Sequence, residues 1–291
     1  MSYEVTATKK RPRTFDHLVG QEFVVSTLKN SLKSGRIAHA YLFAGPRGVG
    51  KTSAARILAT ALNCPEGPDP EACPDYSGSE EIHRGTALDV IEIDGARNTS
   101  VNDVRAIKDE VLFAPDSSRY KIYIIDEVHM LSNSAFNALL KTIEEPPAYI
   151  VFIFATTEIH KVPSTIRSRC QQFNFRLIPL DTIADLLMQA ATEMGLTADH
   201  DAVMWIAKES TGSLRDAYTL FDQVVAFSDS HVSLEAIHEK LGLFGLERLN
   251  TLAENLAAGD AHAALSLVQE GVQSGVSVER MAQELADYYR S

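Results

Sequence analysis

The sequence predicts an α/β fold, a parallel sheet with helices on both faces, followed by an all-helical region. Two patterns carry that reading. From about residue 40, short apolar runs alternate with amphipathic stretches, and strand-then-helix repetition builds a parallel sheet. The runs are apolar throughout rather than at every second residue, as strands covered on both sides require. Beyond about residue 178 the strand-like runs cease and only helical periodicity remains.

The elements follow in order. AYLFA at 40–44 reads as a strand and KTSAARILATALN as the helix after it. LDVIEID is a second strand, VNDVRAIKDEV a helix, KIYIIDEV a third strand, SAFNALLKTIEE a helix and YIVFIFATT a fourth strand. After QQFNFRLIP come the helical stretches DTIADLLMQAATEMG, ADHDAVMWIAKES, SLRDAYTLFDQVVAF and SLEAIHEKLG, with Gly195, Gly212 and Gly242 where helices should stop. Three further amphipathic stretches run from 246 to the end. The expected organisation is 1–178 for the α/β domain, 179–242 for a small helical domain and 243–291 for a third helical unit. That unit ends abruptly with the chain and reads as partial.

Bulk properties narrow the class. Of 291 residues, 45% are hydrophobic and 23% charged, ordinary values for a soluble globular chain. No apolar run reaches the roughly 18 residues of a membrane span. MSYEVTATKKRPRTF is polar and basic with no apolar stretch behind it, so it is not a secretory signal, and the cytoplasm is the expected compartment. The net charge of −12 disfavours indiscriminate attraction to nucleic acid, and any DNA contact must be local. Cys64, Cys73 and Cys170 are an odd number without an export signal, which argues for reduced thiols rather than a disulfide framework.

Chemistry concentrates at the ends of the strand-like runs. Gly45, Pro46, Arg47, Gly48, Val49, Gly50, Lys51 and Thr52 satisfy G-x-x-x-x-G-K-[ST] between a strand and a helix. Such a loop turns backbone N–H groups and a helix N-terminus toward phosphates; Lys51 reaches the β- and γ-phosphates and Thr52 binds magnesium. Asp126, closing KIYIID, would orient the metal, and Glu127 would polarise the attacking water as general base. Thr156 and Thr157 end the next apolar run and offer a polar sensor, or else a simple strand cap. Arg169 lies beyond that strand, where an arginine can complete a neighbouring subunit's site.

GPRGVGKTS, IIDEVHMLS, FNALLKTIEEPP, FATTE, TIRSRCQQF and GSLRDA, in this order, closely resemble the tau/gamma subunits of bacterial DNA polymerase III, which are AAA+ clamp-loader ATPases. The resemblance covers about residues 1–242. It implies an AAA+ P-loop domain, a helical lid and the start of a helical collar, with ATP and Mg2+ as cofactors. It makes Asp126 and Glu127 the Walker B pair, Thr157 the sensor and Arg169 the arginine finger reaching into the adjoining subunit. Arg215 in GSLRDA becomes the second sensor, delivered from the lid, although a helix-start arginine in a salt bridge is the plainer alternative. Arg11, Pro12 and Val19 match the segment near the adenine, and Arg105 and Lys141 align with positions that face DNA. The implied partners are other clamp-loader subunits in a hetero-oligomeric ring, the sliding clamp, primer-template DNA gripped through its phosphates and the polymerase III core, with no membrane.

The sequence also departs from the resemblance. Lys10 replaces a frequent aromatic, and Arg97 stands where a small serine is common. In CPEGPDPEACPDYSGSEEIH the family often carries four cysteines on a structural zinc. Here only Cys64 and Cys73 remain, with Tyr76 and Ser79 at the other two positions. Structural zinc wants four ligands, almost always Cys or His. His83 and Asp75 are the available substitutes at unusual spacing, so a metal-free loop is expected, with Cys64 a small buried residue. Two other functions stay open: a stand-alone P-loop nucleotide kinase, disfavoured because no arginine-rich second pocket is evident, and a silent scaffold, disfavoured because Lys51, Thr52, Asp126 and Glu127 are intact.

Overall fold

The computed structural model describes residues 5–71, 73, 77–97, 111, 113–228, 230–241, 244–273 and 275–290. The helix expected over VNDVRAIKDEV, including Arg105 but not its last residue Val111, and the loop residues Asp75 and Tyr76 lie outside them. Two compact units emerge: Met1–Ile183 with Ser210–Asp216, and Ala184–Glu209 with Ala217–Ser291.

The first unit is built on five parallel strands: β1 (Ala40–Ala44), β2 (Val90–Asp94), β3 (Lys121–Asp126), β4 (Ile150–Thr156) and β5 (Gln171–Asn174), in the spatial order β2-β3-β4-β1-β5. Alternation of side chains along each strand explains the continuous apolar runs. Tyr41, Phe43, Ile122, Ile124, Val151 and Ile153 enter one core, while Leu42, Tyr123, Ile125, Phe152 and Phe154 enter another. The first core also contains Val24, Leu28 and Leu32 of α2 (Glu22–Lys33), which follows a short α1 (Thr6–Lys9), and much of α3 (Lys51–Leu62). α3 is buried nearly all round, from Ala54 to Leu62, which its small residues permit. The second core contains Ala135, Phe136, Leu139 and Ile143 of α5 (Asn133–Glu144) and Ile166 of α6 (Ser164–Arg167). Ser132 caps α5 by accepting from the Ala135 N–H at 3.2 Å, a contact whose loss costs about 1 kcal/mol.

Between α3 and β2 lies the cysteine loop, leading into α4 (Ser77–Arg84). Here the structure corrects the expectation of free thiols: Cys64 and Cys73 are joined in a disulfide, their Cα atoms 5.9 Å apart. The loop doubles back because Gly67 N–H donates to Cys64 O (3.1 Å) and Asp69 N–H to Ala61 O (3.0 Å). Cys73 then turns through a left-handed conformation with φ 33°. Cys64 is buried, as expected, but as half of a cross-link. Cys170 is the free cysteine among the described residues, and burial pushes its thiol up to about 12.

The second unit is helical, as the periodicity predicts. It holds most of α7 (Leu180–Glu193), then α8 (His200–Glu209), most of α9 (Leu214–Phe227) and α10 (Leu234–Leu241), with a small parallel pair β6 (Thr197–Ala198) and β7 (His231–Val232). Leu187, Val203, Ile206, Phe221, Val224 and Ile237 are buried there. α11 (Leu246–Ala258), α12 (Ala261–Gln273) and α13 (Val278–Tyr288) share a core of Phe244, Leu249, Leu252, Ala264, Val276 and Met281. Gly271 permits their close approach, since a Cβ there would lie 2.5 Å from Met281 Cε and 2.8 Å from the Phe244 ring. No helix among the described residues is long and apolar enough to cross a membrane.

Candidate functional site

The site lies at the carboxyl ends of the adjoining strands β3, β4 and β1, where open α/β sheets place their ligands. β1 ends at Ala44 and the chain turns through residues 45–50 into α3. The turn is pinned to the sheet by Gly45 N–H donating to Thr156 O at 3.2 Å. It admits no side chain at Gly45, where a Cβ would sit 2.5 Å from Phe175 O. Gly50 caps α3 in the left-handed region at φ 99°, with a prospective Cβ only 2.9 Å from Leu18. The first N–H groups of α3 have no helical partners, which suits an anion.

Lys51 is buried at this turn, its Nζ donating to Gly45 O (2.8 Å) and Pro46 O (2.6 Å). Burial pushes its pKa down, the Glu127 and Asp126 carboxylates oppose that shift, and Arg215 reinforces it. Thr52 Oγ1 donates to Asp126 Oδ2 at 2.6 Å. The other oxygen, Oδ1, accepts from the Glu127 N–H at 2.9 Å. Glu127 itself takes φ 44° and ψ 46°, a left-handed backbone costing a non-glycine residue on the order of 1–3 kcal/mol. Its Oε2 accepts from Thr157 Oγ1 (3.0 Å) and Thr157 N (3.3 Å), so Thr157 and Glu127 meet.

Arg11, Pro12 and Val19 belong to the first unit, and Leu18 in the same segment packs against Gly50. Arg11 Nε donates to Ser53 Oγ of α3 at 3.3 Å. Burial lowers Arg11 to about 10, with Arg56 and Arg215 adding to the effect. Arg215 reaches the same loop: its N–H lies 3.5 Å from Gly48 O, and Ser213 blocks the space a Cβ on Gly48 would need. The exposed residues Pro46 and Arg47 and the buried Val49 complete the turn.

Arg169 is elsewhere. It follows α6, donates to Thr165 O (2.7 Å) and pairs with Glu144 (2.7 Å). It makes no contact with Lys51, Asp126 or Glu127 among the described residues. Lys141 is exposed on α5, Arg97 pairs with Asp94 at 3.4 Å, and Arg105 lies outside the described residues. Sequence reasoning missed Ser53, Ser213 and above all His129, whose side chain is 6% exposed and whose Nδ1 lies 3.3 Å from Glu127 Oε2.

The donors fit magnesium and a nucleotide. Thr52 and Asp126 supply hard oxygens of the kind Mg2+ prefers, and the loop offers N–H groups and an ammonium. Zinc fits the cysteine loop poorly. Ligand atoms of Cys64, Asp69 and Cys73 lie within 4.8 Å of one another, but sulfurs bonded to each other present no thiolate. Ser79 is buried in α4, and His83 is not in that group.

The family described as "DNA polymerase III, delta subunit" matches residues 20–179, and "DNA polymerase III clamp loader subunit, ATPase lid domain" matches 182–230. The chain is 44% identical over 285 residues to DNA polymerase III subunit tau of Salmonella typhimurium, covering 98% of this chain and 44% of that one. To subunit tau of Bacillus subtilis it is 42% identical over 290 residues, covering 100% and 52%. To subunit gamma of Buchnera aphidicola subsp. Acyrthosiphon pisum it is 38% identical over 285 residues, covering 98% and 79%. The chain thus spans about half the length of the first two relatives. Among solved structures, the Thermotoga maritima RuvB Holliday junction branch migration motor aligns with TM-score 0.58 and 20% identity over 93% of this chain and 88% of that one, a likeness of fold alone.

Proposed function

Because this chain belongs to the tau/gamma family of DNA polymerase III subunits, we propose that it is an ATP-binding and ATP-hydrolysing clamp-loader subunit. It would use ATP to open the sliding clamp and load it onto primed DNA in the cytoplasm. The observation that carries the reading is the convergence of the Lys51 loop, the Thr52–Asp126 pair and the Thr157–Glu127 pair at the ends of three adjoining strands.

On this reading, residues 45–52 bind the phosphates and Arg11, Pro12 and Val19 border the adenine. Thr52 and Asp126 hold the magnesium, which would neutralise charge on the phosphates. Glu127 is the general base, accepting the proton of the attacking water as its oxygen bonds to the γ-phosphorus and ADP leaves. Thr157 orients Glu127, and Arg215 serves as second sensor. Arg169, held away from its own chain's site, acts as the finger in a neighbour's, so turnover requires assembly. Residues 1–178, 179–242 and 243–291 act as ATPase, lid and collar segment, and Arg105 and Lys141 face the primed duplex. The ring, the clamp and the polymerase core are the partners. The test is clamp loading: with partner subunits and primed DNA, this chain should place clamps on DNA only when ATP is present. ATP-independent loading, or none with nucleotide bound, would contradict the proposal.

A further inference from the structure

We infer that His129 is a positioning residue for Glu127, fixing one carboxylate oxygen so that the other is presented to the attacking water. The inference rests on the ATPase reading above and deepens it.

His129 stands on a 3-10 turn, Val128–Met130, directly after the strained backbone of Glu127. The turn brings the imidazole to the end of β4. Its Nδ1 lies 3.0 Å from Thr156 Oγ1 and 3.3 Å from Glu127 Oε2, and its Nε2 lies 3.4 Å from Glu158 Oε1. One anchoring group is buried and the other is itself paired. Thr156 is fully buried and its Oγ1 accepts from the Glu158 N–H at 3.0 Å, while Glu158 is tied to Lys161 at 2.9 Å. The ring therefore has partners at both nitrogens and little freedom to rotate.

All three contacts of the Glu127 carboxylate among the described residues, those from Thr157 N, Thr157 Oγ1 and His129 Nδ1, fall on Oε2. Oε1 is left for a water. A carboxylate oxygen only accepts, so a hydrogen bond to it needs the proton on Nδ1, the nitrogen that also lies 3.0 Å from Thr156 Oγ1. Thr157 approaches from just beyond β4 and His129 from the turn after β3, and contacts from two elements hold the carboxylate where one would leave it free to swing. A general base works only within hydrogen-bond reach of the proton it takes, and a displacement near 1 Å can cost on the order of 100-fold in rate.

Substitutions that preserve one nitrogen or the other separate this role from packing. Asn places an amide N–H near the position of Nδ1, whereas Gln places it nearer Nε2. Steady-state ATP hydrolysis would be measured on the full chain in its assembled complex for wild type, His129→Ala, His129→Asn, His129→Gln and Lys51→Ala, with melting curves for each. The expected result is a fall in kcat of on the order of 10- to 100-fold for His129→Ala, with KM for ATP within about twofold, and substantial recovery in His129→Asn but not in His129→Gln. If His129→Ala fails to fold, the Asn and Gln variants decide, with Asn the more active. Wild-type kcat in His129→Ala, or equal kcat in the Asn and Gln variants, overturns the inference. Wild-type turnover no greater than that of Lys51→Ala overturns the ATPase reading itself, and this inference with it.

Discussion

Thr52 and Asp126, 74 residues apart in sequence, meet at 2.6 Å, the hydroxyl at the start of the P-loop helix donating to the carboxylate that ends β3. One hard-oxygen pair thus ties the phosphate loop to the strand that carries the acid. Thr52→Val should remove the hydroxyl at little cost in volume and weaken Mg2+-dependent nucleotide binding by about tenfold. Binding measured with excess chelator should hardly change. Equal loss with and without Mg2+ would mean that the pair serves the loop's folding instead.

Arg169 is occupied by Glu144 and Thr165 within its own chain. Arg169→Ala should therefore leave ATP affinity of the isolated chain within about twofold while lowering turnover of the assembled ring by on the order of 10³-fold or more. Loss of ATP binding in the isolated chain would place its action in cis.

His83 is lowered to about 4 by burial, then by Arg13, Arg56 and Arg11. Its ordinary value is near 6.5, so between these limits the unfolded chain binds the extra proton and the folded chain does not. The stability that its neutral form supports is complete above about pH 6.5 and is lost as the pH falls toward 4. His83→Gln should flatten the decline of melting temperature over that window. An unchanged pH dependence would remove the assignment.

The disulfide between Cys64 and Cys73 closes a short loop after α3, and loop-closure entropy limits its contribution to about 3 kcal/mol. Reduction should lower the melting temperature by several degrees, whereas chelators should leave it unchanged. A stoichiometric zinc, or two freely titrating thiols in unreduced protein, would contradict the structure of this loop.

The sheet was legible because buried parallel strands are written as unbroken apolar runs, and the phosphate loop because glycine spacing there serves local geometry. Asp126 and Glu127 were legible as the acidic end of such a run. His129 was not, because its role depends on a left-handed Glu127 that turns the chain and on Thr156 and Glu158 arriving from β4. The cross-link between Cys64 and Cys73 was discounted in the sequence because a cytoplasmic setting favours reduced thiols. Their separation of nine residues says nothing about the path set by Ala61, Asp69 and the positive φ of Cys73. The resemblance, not periodicity, delivers Arg215 from a lid, and in the structure Ser213 and Arg215 fall in the first compact unit and meet Gly48.

Glu127→Gln tests the central claim most directly. The assembled complex, supplied with clamp and primed DNA, should show ATP turnover stimulated in wild type and reduced by about 10²- to 10⁴-fold in the variant, with ATP affinity retained. Equal turnover in the two proteins, or wild-type turnover indifferent to clamp and DNA, would contradict the account.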